Sequence, residues 1–309
     1  MRQPSLDQLL TTYSENFMAT MADEFIASKA MGTPVNVKSR TGRYWQYGIN
    51  QAYAPETLHE PEDETNGVKH KKVQLLYALE DHRIKETYSP VDVEENPEGE
   101  SGERRERTEL VTYAGGIRRE IDVASLFATA TQTAAATAAW GTGGSNPIED
   151  FRSSGETVRK NSGRYPNMVT LSADSWSRLQ TDANFKDYAK GSINNGVISV
   201  SLVENLLTEL WNKKVQVNVG TSIYNSAPES VTPAFTSTEA WGTSDVFVYY
   251  QGAFKRDASF VRCFANTKRS GIVSWRGNDE AQGATSIAWV SPRDDRLTNQ
   301  ECGFKITGA

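Results

Sequence analysis

The sequence predicts an α+β protein with more than one domain. Apolar residues recur at three- and four-residue steps near the N-terminus and again after residue 110, which is typical of amphipathic helices. Two runs between residues 43 and 79 alternate apolar and polar residues, and short strands alternate with short helices after residue 166. The chain has 309 residues, which is enough for about two domains.

Composition limits the classes of function. Lys and Arg total 33 against 39 Asp and Glu, a net charge of −6, so a primary nucleic-acid or lipid binder is not expected. Apolar residues make up only 38 %, which indicates that part of the chain lies outside a core or shares one with neighbours. No apolar run reaches the roughly 18 residues of a membrane span, and the N-terminus lacks a signal-peptide pattern. These features predict a soluble protein made in the cytosol.

The sequence offers no catalytic, cofactor or metal motif. Its three histidines lack the i, i+4 spacing of a helical zinc site. The glycine cluster after residue 140 is followed by Asn146 and Pro147, not by the lysine of a phosphate-binding loop, and it predicts a hinge before a helix. Cys263 and Cys302 are predicted to be reduced thiols. We therefore expect no catalytic residue, no cofactor and no metal ligand.

The N-terminal segment predicts an amphipathic helix of about five turns. Ser5 and Gln8 match a capping box at its start. Two alternatives remain open for this helix: it belongs to a bundle within its own chain, or it is an arm that docks on another subunit. Its apolar positions are Leu6, Leu9, Leu10, Tyr13, Phe17, Met21 and Phe25.

Two alternating runs predict a long two-stranded ribbon. The first is RYWQYGI at residues 43–49 and the second is KKVQLLYAL at residues 71–79. The segment between them is acidic from Glu56 to Glu64 and basic from Lys69 to Lys72. An isolated ribbon is marginal in water, so this one needs a surface, either an edge of its own domain or a neighbouring subunit.

A polar run from Asp92 to Glu109 contains Pro97 and two glycines and predicts a solvated acidic loop. Within it, the basic ERRER run at residues 103–107 is interpreted as local neutralisation of these acids rather than as a phosphate contact. A long helix is predicted from about Leu110 into the alanine-rich ATATQTAAATAAW, with Gly115 and Gly116 marking its start or a bend.

The second half predicts alternating helices and strands. Asn146 as N-cap and Pro147 at the first position predict a helix that ends near Gly163. A strand at residues 167–172 and two short helical segments follow, then a helix capped by Ser201 and a strand around Val217. A Ser/Thr/Pro-rich loop over residues 226–244 precedes a final, mostly β region.

This order of elements resembles the major capsid proteins of tailed bacteriophages, the Hong Kong 97-type fold, and most closely the lambda-like branch. The most specific segment is RREIDVASLF at residues 118–127, which is similar to a pattern in the spine helix of that branch. The segments NPIEDF at 146–151 and GRYPNMVTLSADSWSRLQTDANFKD at 163–187 resemble the family's strand and the helix that follows it. The sequence departs from the pattern at Gly115 and Gly116 and over residues 226–244.

The resemblance implies a domain organisation. It assigns residues 1–40 to an N-terminal arm and residues 41–85 to an extended β-hairpin loop. Residues 86–165 become a peripheral domain with the spine helix, and residues 166–252 an axial domain. Residues 253–309 complete the peripheral β-region and the C-terminal strand.

The resemblance also implies a function: pentamers and hexamers that form an icosahedral shell around packaged double-stranded DNA, without enzymatic activity. The implied partners are further copies of the chain, scaffolding, portal and decoration proteins, and DNA bound without sequence specificity, with no membrane. The implied location is the virion, after synthesis in the host cytoplasm. Some relatives crosslink a loop lysine to a neighbour's asparagine, but no matching asparagine or glutamate is found here. The expected intersubunit contacts are Tyr44, Trp45, Tyr47, Lys69, Lys71, Lys72, Phe17 and Phe25.

Other classes of protein fit the sequence less well. A nanocompartment shell of the encapsulin type shares the fold but encloses protein cargo, and its usual tryptophan-rich N-terminal motif is not visible. A hydrolase would need a site assembled from scattered Asp, Glu and His, which no motif supports. A monomeric binding module would have to cover both the ribbon and the N-terminal helix by itself.

Overall fold

The computed structural model describes residues 6–46, 73–189, 198–227, 235–242, 244–253, 257–276 and 284–309. The helices are α1 (Gln8–Thr20), α2 (Ala27–Met31), α3 (Pro90–Glu95), α4 (Gly99–Ala128), α5 (Pro147–Ser162), α6 (Ala173–Thr181), α7 (Ala183–Ala189) and α8 (Val200–Trp211). The strands are β1 (Val35–Asn36), β2 (Thr41–Gln46), β3 (Val73–Ala78), β4 (Glu80–Tyr88), β5 (Thr133–Ala135), β6 (Met168–Ser172), β7 (Gln216–Gly220), β8 (Ile223–Asn225), β9 (Ser237–Glu239), β10 (Val246–Tyr249), β11 (Val261–Ala265), β12 (Gly271–Arg276), β13 (Thr285–Leu297) and β14 (Gly303–Thr307).

Two five-stranded sheets form the framework. In the first, the long strand β13 pairs antiparallel with β4, β11 and β12, and β1 adds in parallel to β11. The second has the order β5-β14-β10-β6-β7. Two hairpins, β2–β3 and β8–β9, lie outside these sheets. The predicted α+β class is confirmed.

The long helix α4 joins the two sheets. Its glycine face packs on β13, where a Cβ at Gly115 would lie 2.7 Å from the Trp289 ring. Its C-terminal end carries Phe127, which is fully buried and contacts four aromatic rings edge-on. A second core, around β6, β7 and β10, is closed by α5, α6, α7 and α8. No helix in the described ranges is long and apolar enough to cross a membrane.

The predicted acidic loop over residues 92–109 is wrong, because most of that run is helical. A capping box between Ser89 and Asp92 starts α3, and α4 begins at Gly99. The glutamates that predicted a loop alternate with arginines at helical spacing, as in the Glu103–Arg107 pair (2.6 Å), and such pairs stabilise a helix. Gly115 and Gly116 lie inside α4 and do not mark its start.

The prediction that this helix continues into the alanine-rich segment is also wrong. The helix ends at Ala128, and residues 133–135 form β5, which pairs in parallel with β14. The strand partner comes from residues 305–307, far away in sequence, so local propensity could not reveal it.

Most of the second half is as predicted. Asn146 caps α5, whose Pro147 is the first residue, and Gly163 ends it with a positive φ of 74°. The cap of α8 is Ser199 rather than Ser201. The predicted loop over residues 226–244 contains a strand, β9, which pairs with β8 just before the loop. Cys263 and Cys302 are free and buried, as predicted.

Candidate assembly surface

The β2–β3 hairpin is anchored to the first sheet through aromatic rings. Tyr77 stacks on Phe264 with ring centroids 5.0 Å apart and an interplanar angle of 9°. Tyr44 lies 4.9 Å from the same ring, tilted by 38°. Gly42 faces Tyr77 across the strands, and a Cβ there would collide with the tyrosine ring. The inner face of the hairpin therefore packs against a surface of its own chain.

The outer face of the hairpin exposes two large apolar side chains beside a polar pair, Arg43 and Gln74, which are joined by a hydrogen bond of 3.3 Å. Alternation along β2 and β3 places Trp45 and Leu76 on the side away from Phe264, as diagonal cross-strand neighbours. Trp45 is 41 % exposed and Leu76 is 64 % exposed. Large apolar side chains that neighbour each other on a surface indicate a protein contact, so this outer face is a candidate assembly surface.

A groove of about 590 Å³ continues this surface beneath the hairpin. Leu75 and Leu76 line one wall, and Leu126 and Leu297, from the end of α4 and from β13, line the other. The groove also has polar lining residues, which are Gln74, Thr129, Arg296 and Gln300.

The contact residues predicted for the hairpin lie on different faces of it or outside the described residues. Tyr44 is half-buried on the inner face and serves the chain's own core, whereas Trp45 is on the outer face. The residues Tyr47, Lys69, Lys71 and Lys72 lie outside the described residues. Leu76 was missed, although its position next to Leu75 in an alternating run shows that one of the two must face outward.

The predicted N-terminal helix is shorter than expected and lies on its own chain. Asp7 is its N-cap, and the Asp7 N–H donates to the Ile272 carbonyl over 2.8 Å. This edge pairing with β12 holds residues 6 and 7 extended, so the helix starts later than a cap at Ser5 would place it. Further along, the Ser14 and Thr112 hydroxyls are 2.8 Å apart.

Phe17 and Phe25, both predicted contacts, have different surroundings. Phe17 is half-buried on α1. Phe25 follows the helix and is only 6 % exposed, with its ring edge-on to Tyr113 at 5.5 Å. Phe25 therefore packs against α4 of its own chain and offers little surface to a neighbour.

Three segments meet at the buried carboxylate of Glu120. Its side chain is in the middle of α4 with 1 % of the residue exposed. It accepts hydrogen bonds from the Ala27 N–H (2.7 Å) and from the Trp241 indole N–H (2.5 Å). Burial raises the pKa of Glu120, while the bonds from Trp241 and Ala27 oppose that shift. Glu120 belongs to the segment RREIDVASLF that carries the resemblance, but its burial was not expected, because a helical glutamate is ordinarily solvated.

Glu120→Gln is expected to change how stability depends on pH. Because the folded-state pKa of Glu120 is raised, the carboxylate costs stability at neutral pH, and this cost disappears as pH falls through the folded pKa towards the unfolded value of about 4.3. The stability of wild type relative to the Gln variant should therefore fall as pH rises. Urea unfolding midpoints of both proteins between mildly acidic and neutral pH measure the difference.

Glu156→Gln is the matched control, with the opposite sign. A hydrogen bond from Arg159, and a second from Tyr165, lower the pKa of Glu156. The stability of wild type relative to the Glu156→Gln variant should therefore increase as pH rises. A Glu120→Gln difference that stays constant across the pH range would contradict the assignment.

A second buried charge fixes α4 to the first sheet. Arg293 on β13 is 2 % exposed and pairs with Asp122 of α4 at 3.3 Å and with Asp295 at 3.2 Å. Removing one partner of such a pair leaves an uncompensated buried charge, at a cost of about 3–5 kcal/mol. This contact keeps the helix in register with β13.

The arginines of the ERRER run are engaged within the chain. Arg105 pairs with Glu98, Arg107 with Glu103 at 2.6 Å, and Arg104 with Asp7 at 2.7 Å. The interpretation as local neutralisation is confirmed for Arg105 and Arg107, and Arg104 pairs with the start of α1.

Both cysteine thiols of the chain are buried. Burial raises the pKa of both cysteine thiols to about 12, so neither is a thiolate at neutral pH. Within the described ranges, no group of three or more His, Cys, Asp or Glu side chains could hold a metal ion. The notable surface feature is the pair of exposed apolar side chains, Trp45 and Leu76, on the outer face of the hairpin.

No family model matches the chain, and no curated protein matches it. Solved structures are similar over the full length. A phage-related protein from Bordetella bronchiseptica RB50 has a TM-score of 0.72 at 15 % identity, covering 100 % of this chain and 99 % of the other. A putative prophage capsid protein from E. coli CFT073 has a TM-score of 0.57 at 9 % identity, covering 100 % of both chains. The capsid structure of the cyanophage P-SCSP1u gives 0.54 at 10 % identity, covering 89 % of this chain and 85 % of that one.

These similarities extend over both sheets and the long helix, so they concern the whole arrangement and not a shared fragment. The chain therefore has the α+β fold of phage major capsid proteins, the Hong Kong 97-type fold.

Proposed function

We propose that this chain is the major capsid protein of a tailed phage or prophage, and that its copies assemble as pentamers and hexamers into an icosahedral shell around double-stranded DNA. The exposed Trp45 and Leu76 on the outer face of the hairpin, on a fold that matches capsid structures over 89–100 % of the chain, carry the proposal. A monomer would gain nothing by leaving Trp45 and Leu76 in water.

The mechanism is geometric. One sequence must fit rings of five and of six, so its contacts have to be numerous, individually weak and tolerant of small rotations, with stability arising from multivalency. The buried anchors at Glu120 and Arg293 keep each subunit rigid, while the hairpin reaches its neighbour. No residue acts as a catalyst in this scheme.

The proposal includes the partners and the domains implied by the resemblance. Scaffolding, portal and decoration proteins would contact the shell, which is made in the host cytoplasm and ends in the virion. DNA would be contained without sequence readout, which the internal pairing of Arg104, Arg105 and Arg107 supports. The proposed axial domain over residues 166–252 contains β6, β7 and β10, whose core also takes side chains from α5 and β14.

Sedimentation and negative-stain microscopy of the purified protein test the proposal. We expect rings and closed shells in which each contact buries more than about 2,000 Å². A single 34.2 kDa species at high concentration, in assembly-promoting salt and with any required scaffold supplied, would contradict it.

The charge division of the loop gives a further prediction. Residues 56–64 are acidic and Lys69, Lys71 and Lys72 are basic, and we expect them to meet opposite charges on the next subunit. Each exposed pair is worth only about 0–1 kcal/mol, but the contact repeats throughout a shell. Reversing Lys71 and Lys72 to Glu should lower assembly yield, measured by light scattering, while the subunit stays folded. Unchanged yield and unchanged salt dependence would show that these charges do not pair.

A further inference from the structure

Helices α1 and α4 run side by side in the same direction. Asp7 pairs with Arg104 at 2.7 Å near the start of both helices, and Ser14 contacts Thr112 (2.8 Å) about two turns later. Farther on, Met18 lies against Gly116. The contact positions advance together along the two helices, so a shallow groove runs between them on the solvent side.

Apolar side chains lie along the solvent-exposed parts of both helices. On α1, Leu9 is 84 % exposed, and Tyr13 and Phe17 follow it at four-residue steps, half-buried. On α4, Leu110 is 51 % and Tyr113 is 36 % exposed. We call these five residues the two-helix stripe. Leucine and aromatic side chains at helical spacing on two parallel helices fit the apolar face of a third helix.

One end of the stripe opens into a pocket of about 440 Å³. Leu9 and Leu10 form its apolar wall, and the first turns of α4 supply Glu100 and Arg105. A large apolar side chain of a docked helix could anchor in this pocket, as interface hot spots do.

The charge around the stripe is negative. Arg104 and Arg105 are already paired with Asp7 and Glu98. Glu106 is exposed and has no ion-pair partner among the described residues, and Glu109 accepts a hydrogen bond from the Tyr13 hydroxyl. The carboxylates around the stripe and its pocket outnumber the arginines, and they are Asp7, Glu98, Glu100, Glu106 and Glu109.

A second copy of this chain does not supply a complementary helix from its described part. The longer helices α1, α4 and α8 are net acidic, and α5 and α6 are neutral. None of them presents the excess of Lys or Arg that the carboxylates around the stripe would attract.

We propose that the two-helix stripe binds a basic amphipathic helix of a second protein. Leucine-like side chains of that helix cover Leu9, Tyr13, Phe17, Leu110 and Tyr113, and its lysines or arginines face Glu106 and the carboxylates at the pocket. The proposal does not rest on shell assembly, since the stripe is complete within one subunit.

Binding of a synthetic peptide tests the proposal. The probe is a labelled leucine–lysine peptide of about five turns, with leucines at i, i+3, i+4 and i+7, and its control replaces every lysine by glutamate. Fluorescence anisotropy at two salt concentrations should show binding of the lysine peptide, weakened by salt. The glutamate peptide should bind at least about tenfold more weakly, as like charges repel.

Variants of exposed residues locate the binding site without disturbing the fold. Leu110→Asn and Glu106→Lys should each weaken binding of the lysine peptide by about tenfold or more, a change of 1.4 kcal/mol. Ile223→Asn, at a 48 % exposed position on β8, should leave it unchanged, and circular dichroism checks folding.

Three results would overturn the proposal. The first is equal binding of both peptides, and the second is a Leu110→Asn variant that binds as well as wild type. The third is absence of peptide binding together with loss of self-association in the Leu110→Asn variant, which would assign the stripe to contacts between copies.

Discussion

Phe127→Ala is expected to lower the free energy of unfolding by about 3–5 kcal/mol. Phe127 is fully buried at the C-terminal end of α4, with the rings of Phe247 and Tyr249 on β10 each 5.3 Å away. Trp241 and Phe260 complete the cage at 5.6 and 5.5 Å. Edge-on aromatic pairs add about 0.5–1.5 kcal/mol beyond the buried area, so one truncation removes several contacts and leaves a cavity.

Leu110→Ala on the same helix is the control for that experiment. Leu110 is 51 % exposed, so its truncation should change stability by less than about 0.5 kcal/mol. Midpoints of guanidinium unfolding measure both changes. A loss below about 1 kcal/mol for Phe127→Ala would mean that α4 does not depend on this cage for its position on β10.

The long helix shows where sequence reasoning succeeds and where it fails. A three- and four-residue spacing of apolar residues predicted the helix, and the helix is confirmed. The buried face is a different one, however, because it carries Val123 and Phe127. The residues of the predicted stripe are all exposed or partly exposed, and they are Leu110, Ala114, Ile117, Ile121, Ala124 and Ala128. The start was misplaced because glycine lowers helix propensity by about 1 kcal/mol, whereas Gly115 is required by the close approach of Trp289. That approach comes from a strand more than 170 residues away in sequence and leaves no local signal.

The acidic run illustrates a different limit. Composition alone suggested a solvated loop, yet Glu103 is only 4 % exposed and pairs with Arg107. The spacing of opposite charges at four residues was the available signal for a helix. A count of carboxylates over a window cannot show it, because the count ignores the order of the signs.

The sequence predicted the two strands of the hairpin, but it did not predict which face of the hairpin turns towards the chain's own core. Alternation identified both β2 and β3, and their pairing is confirmed over residues 41–46 and 73–78. Which face turns inward depends on Phe264, and that residue belongs to the other end of the chain. Similarly, the role of Glu120 depends on donors from Ala27 and Trp241, which are distant in sequence on either side.

The largest functional effect is expected at the outer face of the hairpin. We expect Trp45→Ser and Leu76→Ser each to suppress shell assembly at concentrations where wild type assembles. Interface hot spots cost about 2 kcal/mol or more when truncated, which is a factor of about 30 in each contact. Because a subunit in a closed shell makes the contact repeatedly, the concentration needed for assembly should rise by more than the single-contact factor.

The fold itself should tolerate these two changes. Trp45 and Leu76 are 41 % and 64 % exposed, whereas the anchor of the hairpin is the Tyr77–Phe264 stack on its inner face. Unfolding midpoints near wild type together with lost assembly would separate the two faces, and Ile223→Ser tests whether any exposed apolar residue has the same effect. If both hairpin variants assemble at the wild-type concentration, the outer face does not contact a neighbour. In that case, the apolar surface that joins subunits has to be sought elsewhere on the chain.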